Sequence, residues 1–141
     1  MADDDAEDCM MLGKALAESR EGDQLRCVGD GEELMDYLMR RGEYGDPLIS
    51  PRPGIILLDL NMPKKDGYAA LGEIRSHQEI RRIPVVVFTG SNMVEDIRLS
   101  YDRGASSFIT KPVTYQGLVK AVKCFGEYWT EIATLPAMTQ P

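Results

Sequence analysis

The runs IILLDL at 55–60 and IPVVVFTG at 83–90 leave no wet face for a strand. A strand with one side in water alternates apolar and polar residues. A continuous apolar run bounded by turn residues must instead be covered on both faces, as in a parallel sheet layered with helices. The rest of the chain supplies those covers, because segments with apolar residues at helical spacing alternate with short β-branched runs. That alternation predicts an α/β fold with a doubly wound parallel sheet.

The first helix is expected over 6–19, with Cys9, Leu12 and Leu16 on one face and Asp5 as its cap. EGD at 21–23 breaks the chain before a short strand at 25–28, and Asp30-Gly31 turns that strand into a helix over 32–41 that buries Leu34 and Leu38. A Gly- and Pro-rich surface loop covers 42–54. A third helix follows at 67–76 with Leu71 and Ile74 inward, and a strand at 85–89. The fourth helix, 93–103, is expected to bury Ile97 and Tyr101 and to end at Gly104. A strand at 108–110 stops at Pro112, and the last helix, 114–132, aligns Leu118, Val122, Phe125 and Trp129 in one stripe that reads as core packing.

With 141 residues, no internal repeat and no linker-like stretch, residues 1–141 read as a single domain. The excess of 23 acidic over 16 basic side chains, net −7, excludes a sequence-independent grip on nucleic acid or an anionic membrane and favours a protein or cationic partner. No apolar run approaches the roughly 18 to 20 residues of a membrane span, and the acidic start has no signal-peptide pattern, so a cytoplasmic location is expected. Cys9, Cys27 and Cys124 are widely spaced with only His77 as an imidazole, so they read as reduced, buried thiols rather than a zinc or disulfide framework. His77 reads as exposed and inert.

In an open parallel sheet the ligand crevice lies beyond the carboxyl ends of the strands. There the sequence places Asp59, then Thr89-Gly90, then Lys111-Pro112 on three successive strands. Each alone has a bland explanation: an acid entering a turn, a capping hydroxyl, a solvated lysine. Together they make coherent chemistry. A carboxylate on a rigid strand end can attack a phosphoryl group if a cation offsets the repulsion between two anions. ADDDAED at 2–8 offers Asp3 and Asp4 to hold Mg²⁺, while Asp5, Glu7 and Asp8 suit the positive end of a helix dipole. Lys111 adds a compact positive charge and Thr89 a hydroxyl.

These residues, with the segment LLDLNMPKKDG, resemble the receiver domains of two-component response regulators over nearly the whole chain. The loop before PRPGIILLDLNMP, the loop HQEIRRIP and the tail YWTEIATLP are similar to single-domain receivers that accompany phytochrome-type sensor kinases. The resemblance implies a flavodoxin-like fold with five parallel strands in the order 2-1-3-4-5. It makes Asp59 the acceptor of a phosphoryl group from a sensor kinase's phosphohistidine or a phosphotransfer protein. Asp3, Asp4, Asp59 and the Asn61 carbonyl become the Mg²⁺ ligands. Thr89, Phe108 and Pro112 become switch positions, Lys111 the ion-pairing lysine, and Lys111-Pro112 a cis peptide. A downstream protein target reads the altered surface of the fourth helix, last strand and last helix. Asn61 and Ser91 stand where the family varies with phosphoryl lifetime.

One departure is large. Only Met1 and Ala2 precede Asp3, so the first strand is mostly absent from the sequence and the sheet is expected to split beside it. Residues upstream, or a strand exchanged from another chain, are the expected remedies. Lys64 and Lys65 read as solvated turn lysines, and Gly90 leaves the site roomy. Tyr128 and Trp129 leave apolar surface for a homodimer through the last helix. After Pro141 no output domain is expected. Two rival readings are an aspartyl-phosphate phosphatase, which wants an acid where Asn61 stands, and an interaction module that has lost phosphotransfer.

Overall fold

The structure, a computed structural model, describes residues 1–19 and 24–136. The expected break at 21–23 lies outside the described residues. Helix α1 spans Ala6–Ser19, α2 Gly31–Met39, α3 Gly67–Ser76, α4 Val94–Asp102 and α5 Tyr115–Glu127. Strands β1 (Ile56–Leu58), β2 (Val85–Thr89) and β3 (Ser107–Thr110) pair in parallel in that order, with Ile56 opposite Val85 and Val87 opposite Phe108.

The helix starts are set by side chains that satisfy free backbone amides. Asp5 accepts from the N–H groups of Glu7 and Asp8, Asp30 from Glu33, Asp66 from Ala69 and Thr114 from Gly117. Helix α4 passes through Arg103 to Gly104, whose φ of +106° suits a residue without a Cβ. At the end of α5 the chain widens into a π-turn over Tyr128–Ile132, where the Ala133 N–H reaches back to Tyr128. The last helix therefore ends earlier, as an α-helix, than its apolar stripe implies.

Alternating strand residues feed opposite layers. Ile56, Leu58 and Val85 pack with Leu34, Leu38, Leu71 and Ile74 beneath α2 and α3. Leu57, Phe88 and Ile109 pack with Leu12, Ala15, Leu118 and Val122 beneath α1 and α5. Leu71 and Ile74 are fully buried, each worth roughly 1.5 to 3 kcal/mol of transfer free energy. Tyr101 is 49% exposed and Ile97 half-buried, against the expected inward pair; Ser100 is the buried residue of α4, its hydroxyl bonded to the Asp96 carbonyl. The helix thus seats on Asp96, Ile97, Leu99 and Ser100 and leaves the Tyr101 ring outside.

The first strand is reduced to a few residues, yet it does not leave the sheet split. Ala2 bridges both Val28 and Leu58, and four backbone hydrogen bonds hold it: Ala2 to Leu57, Asp59 to Ala2, Asp3 to Val28 and Val28 to Met1. The order Val28, Ala2, β1, β2, β3 reproduces 2-1-3-4-5 and is the flavodoxin-like arrangement. Residues 24–27 form no ladder, and only Val28 pairs with the first strand. Beside them lies a cavity of about 380 Å³, walled by Leu16, Leu25, Ile55, Leu57, Phe125 and Trp129.

The cysteines are not three buried thiols. Cys9 and Cys27 form a disulfide across a Cα separation of 6.5 Å, and Cys124 is free and exposed. Their spacing of 18 residues hid this, because α1 and the returning segment bring the ends together. No described peptide bond is cis, so Lys111-Pro112 is trans, the isomer that an X–Pro bond favours by about 0.5 to 1 kcal/mol.

Candidate functional site

Each strand end delivers its expected residue to one crevice. The backbone bond from Asp59 to Ala2 fixes the end of β1, and the bond from Asp3 to Val28 fixes the acidic pair beside it. One carboxylate oxygen from each of Asp3, Asp4 and Asp59 lies within 4.8 Å of the others. The Asp3 side chain is fully buried and that of Asp59 only 9% exposed, while Asp4 faces solvent. Asp3 also accepts from the Asp5 N–H at 2.9 Å, which orients it into the turn before α1.

Lys111 closes the cluster. Its Nζ donates to Asp3 at 2.6 Å, to Asp8 at 2.8 Å and to Asp59 at 3.3 Å, and the lysine side chain is 18% exposed. Burial opposes the lysine's charge, but the hydrogen bonds it donates to Asp3 and Asp8 and the field of Asp59 outweigh it and raise its pKa. Burial pushes the Asp3 carboxyl up, with the Asp59 charge adding to it, against the lowering bonds from Lys111 and the Asp5 amide. Asp8 belongs to this group and was missed as a site residue. Locally it carries no signal beyond that of a first-turn acid of α1, because its partner Lys111 lies 103 residues away.

Thr89 is fully buried at the end of β2, and its hydroxyl has no hydrogen-bond partner among the described residues. The Lys111 N–H donates to the Thr89 carbonyl at 2.7 Å, so the two strand ends are tied through the backbone. Asn61 is exposed beside Asp59, donating its N–H to Asp59 Oδ1 at 3.4 Å. With Asp4, Met62, Asp66 and Tyr68 it lines an open depression of about 410 Å³. Phe108 is half-buried on β3, opposite Val87. Pro112 follows Lys111 at the crevice edge.

The rim departs from a set of free turn residues. Lys65 is half-buried and paired rather than free: its ammonium bonds Glu73 at 2.7 Å and its carbonyl accepts from Gly31 at 3.1 Å. Lys64 is exposed, in the left-handed region at φ 66°, and pairs with Asp30 at 3.7 Å. His77 is half-buried at the end of α3 rather than exposed, its N–H bonded to Ile74. Ser91 and Tyr68 both donate to Asp96, at 2.5 and 2.6 Å, joining the loop after Thr89 to α3 and α4. Burial and the Asp96 bond push the Tyr68 hydroxyl up to about 12, and the Ser91 and Tyr68 bonds hold the Asp96 carboxyl down.

This donor set is made of oxygen atoms with excess negative charge, the chemistry that suits a hard divalent cation such as Mg²⁺. A family model for the response regulator receiver domain matches residues 1–123. The chain belongs to that family. This receiver is 38% identical over 137 residues to response regulator Rcp1 of Synechocystis sp., covering 97% of this chain and 91% of that protein. Among solved structures it resembles the phosphorylated cyanobacterial phytochrome response regulator RcpA, with 42% identity, a TM-score of 0.89 and coverage of 96% and 95% of the two chains. The Mn²⁺-bound form of Rcp1 matches with a TM-score of 0.85 at 38% identity, covering 96% of each chain. A response regulator in red light signalling of R. palustris matches with a TM-score of 0.91 at 31% identity, covering 97% of this receiver and 96% of that chain. No helix among the described residues is long and apolar enough to cross a membrane.

Proposed function

We propose that this receiver is a phosphoacceptor switch in which Asp59 takes a phosphoryl group from the phosphohistidine of a sensor kinase or phosphotransfer protein. The observation that carries the reading is the convergence of Lys111 on Asp59, Asp3 and Asp8, next to the buried Thr89 hydroxyl. An Asp59 carboxylate oxygen attacks phosphorus, the new O–P bond forms as the N–P bond to the donor imidazole breaks, and that nitrogen regains a proton. Asp3, Asp4, Asp59 and the Asn61 carbonyl would hold Mg²⁺, which when bound offsets the charge that the acids and the phosphoryl oxygens bring together. Lys111 supplies an ammonium at the same place, and its grip on Asp3 and Asp8 keeps it there.

Signalling follows from the orphaned hydroxyl. A phosphoryl oxygen gives Thr89 an acceptor, Phe108 changes its place on β3, and the surface of α4, β3 and α5 changes affinity for a downstream protein. The relation to phytochrome response regulators supports a light-sensing histidine kinase as donor. The negative charge supports protein partners rather than nucleic acid or membrane, and the reading as a partner of a sensor kinase's phosphohistidine carries with it a cytoplasmic location. Residues 1–141 act as one unit without a separate enzymatic activity, and the exposed Tyr128, in the π-turn that follows α5, supports a homodimer face there, although Trp129 beside it is half-buried.

Incubation with acetyl phosphate or phosphoramidate and Mg²⁺, followed by intact mass, tests the reading. A single added phosphoryl that disappears in Asp59→Asn is expected. Unchanged mass in the wild type, or an adduct that survives in Asp59→Asn, overturns it.

A further inference from the structure

Cys9 and Cys27 are bonded at a place where the bond reaches the acidic cluster from both sides. Cys9 directly follows Asp8, which holds Lys111. Cys27 directly precedes Val28, whose carbonyl accepts from the Asp3 N–H and whose N–H donates to Met1. The bond therefore ties the first turn of α1 to the segment that positions Asp3, across a sheet whose first strand is only a few residues long. The two sulfurs also differ in access: Cys9 is buried at 7% exposure, while Cys27 is an exposed residue.

We propose that Cys9 and Cys27 are a reversible dithiol–disulfide pair, and that closing the bond tightens the metal-binding acids of the phosphoacceptor site. The second half rests on the reading given under the proposed function. The co-reactant is a low-molecular-weight disulfide such as oxidised glutathione. The Cys27 thiolate attacks one of its sulfurs, forming a mixed disulfide and expelling one glutathione thiolate. The Cys9 thiolate then attacks the Cys27 sulfur and expels the second. The protein loses two electrons and two protons, and two glutathione thiols carry them away. In reverse, a thiol reductant enters at Cys27, the accessible member. Cross-links in reducing compartments are usually transient and redox-sensing, the role this geometry suits.

Reduction removes the covalent tie between α1 and the 24–28 segment and leaves only the backbone bonds of Val28 to Met1 and Asp3, so Asp8 and Asp3 hold Lys111 and the cation less firmly. Partners that orient metal ligands affect metal affinity by about 10- to 100-fold when removed, and the reduced form is expected at the low end, about tenfold weaker for Mg²⁺.

The test uses the full chain, equilibrated with oxidised or reduced glutathione, alkylated with N-ethylmaleimide under denaturing conditions and weighed intact. One adduct, on Cys124, is expected for the oxidised protein and three for the reduced protein. Mg²⁺ affinity is then measured calorimetrically on both forms, with Cys27→Ser as a variant that should bind like the reduced form under either condition. Three adducts in both conditions overturn the pair, whatever the metal does. A closed bond with equal Mg²⁺ affinity overturns the coupling. Binding of Mg²⁺ to neither form refutes the metal-site reading and the coupling with it, while the adduct count still decides the pair.

Discussion

Lys111→Met isolates the electrostatic logic of the site. In the metal-free protein Lys111 is the cation that answers Asp3, Asp8 and Asp59, at 2.6, 2.8 and 3.3 Å. Two of those carboxylates are nearly or fully buried, so methionine keeps the packing and leaves charges without compensation. Removing one partner of a buried ion pair costs about 3 to 5 kcal/mol. Because Asp8 is partly exposed and Lys111 is not wholly dry, the lower figure, about 3 kcal/mol, is expected here. That is a large share of a total stability of about 5 to 15 kcal/mol. Mg²⁺ should reverse most of the loss, because the acids hold it without competition from an ammonium. At a hundred times Kd the gain is about 2.7 kcal/mol.

The pH dependence has a definite sign. Asp3 already titrates above its unfolded value of 3.8 because of burial. A raised folded pKa means stability that is present below the unfolded pKa and is lost as pH rises through the folded pKa. Lys111→Met removes two lowering influences on Asp3, so the metal-free mutant loses stability more steeply as pH rises and over a window extending further upward. Urea melts read by circular dichroism, across pH and Mg²⁺, measure all three effects. A metal-free mutant as stable as the wild type refutes the reasoning. A deficit that neither Mg²⁺ nor acid reduces refutes it equally.

Thr89→Val removes a buried hydroxyl without a partner, so metal-free stability should hold or rise, by up to about 1 to 2 kcal/mol; a loss of similar size in a urea melt shows that the hydroxyl is satisfied. Gly31→Ala places a Cβ 2.2 Å from the Lys65 carbonyl oxygen, a backbone atom, and overpacking of about 1 to 3 kcal/mol should outweigh alanine's better helix propensity. An unchanged urea midpoint means that the 65–66 turn yields freely. Four apolar β-branched residues fused ahead of Met1 should run into the 380 Å³ cavity. Burial at roughly 1.5 to 3 kcal/mol each, less about 1 to 2 kcal/mol per ordered residue, leaves at the mid-range of both a net gain of about 3 kcal/mol. A Gly-Ser extension of the same length that stabilises equally would show that the cavity does not take a strand.

What was legible in the sequence is what local chemistry decides. Asp5 caps α1 through its own near neighbours, and the bounds 6–19 follow from that and the spacing of Leu12 and Leu16. The apolar runs gave β1 and β2, and their last residues placed Asp59 and Thr89, because a strand in a parallel sheet ends where its ligand crevice begins. Contacts between distant segments were less legible. Asp8 looked like a helix-dipole acid until Lys111, 103 residues away, was seen to grip it. The 25–28 segment has the composition of a strand but pairs only at Val28, with Ala2. Lys65 reads as solvated only while Glu73 and Gly31 are out of view.

Lys111 and Thr89 differ in what the site has already done for them. Lys111 is satisfied before any ligand arrives, by carboxylates that a divalent cation must share, so part of the binding energy of the cation goes into displacing it. Thr89 is unsatisfied, and an unpaired buried hydroxyl carries a penalty of about 1 to 3 kcal/mol. On the proposed reading, a phosphoryl group on Asp59 relieves that penalty only in the conformation where the hydroxyl reaches it. Relief of about 1 to 3 kcal/mol biases that conformation roughly 5- to 150-fold, the range typical of coupling between sites. The backbone bond from Lys111 to the Thr89 carbonyl ties the two strand ends. On the proposed reading, a rearrangement begun at β2 passes through that tie to β3, where Phe108 stands opposite Val87, and from there to the faces of α4 and α5.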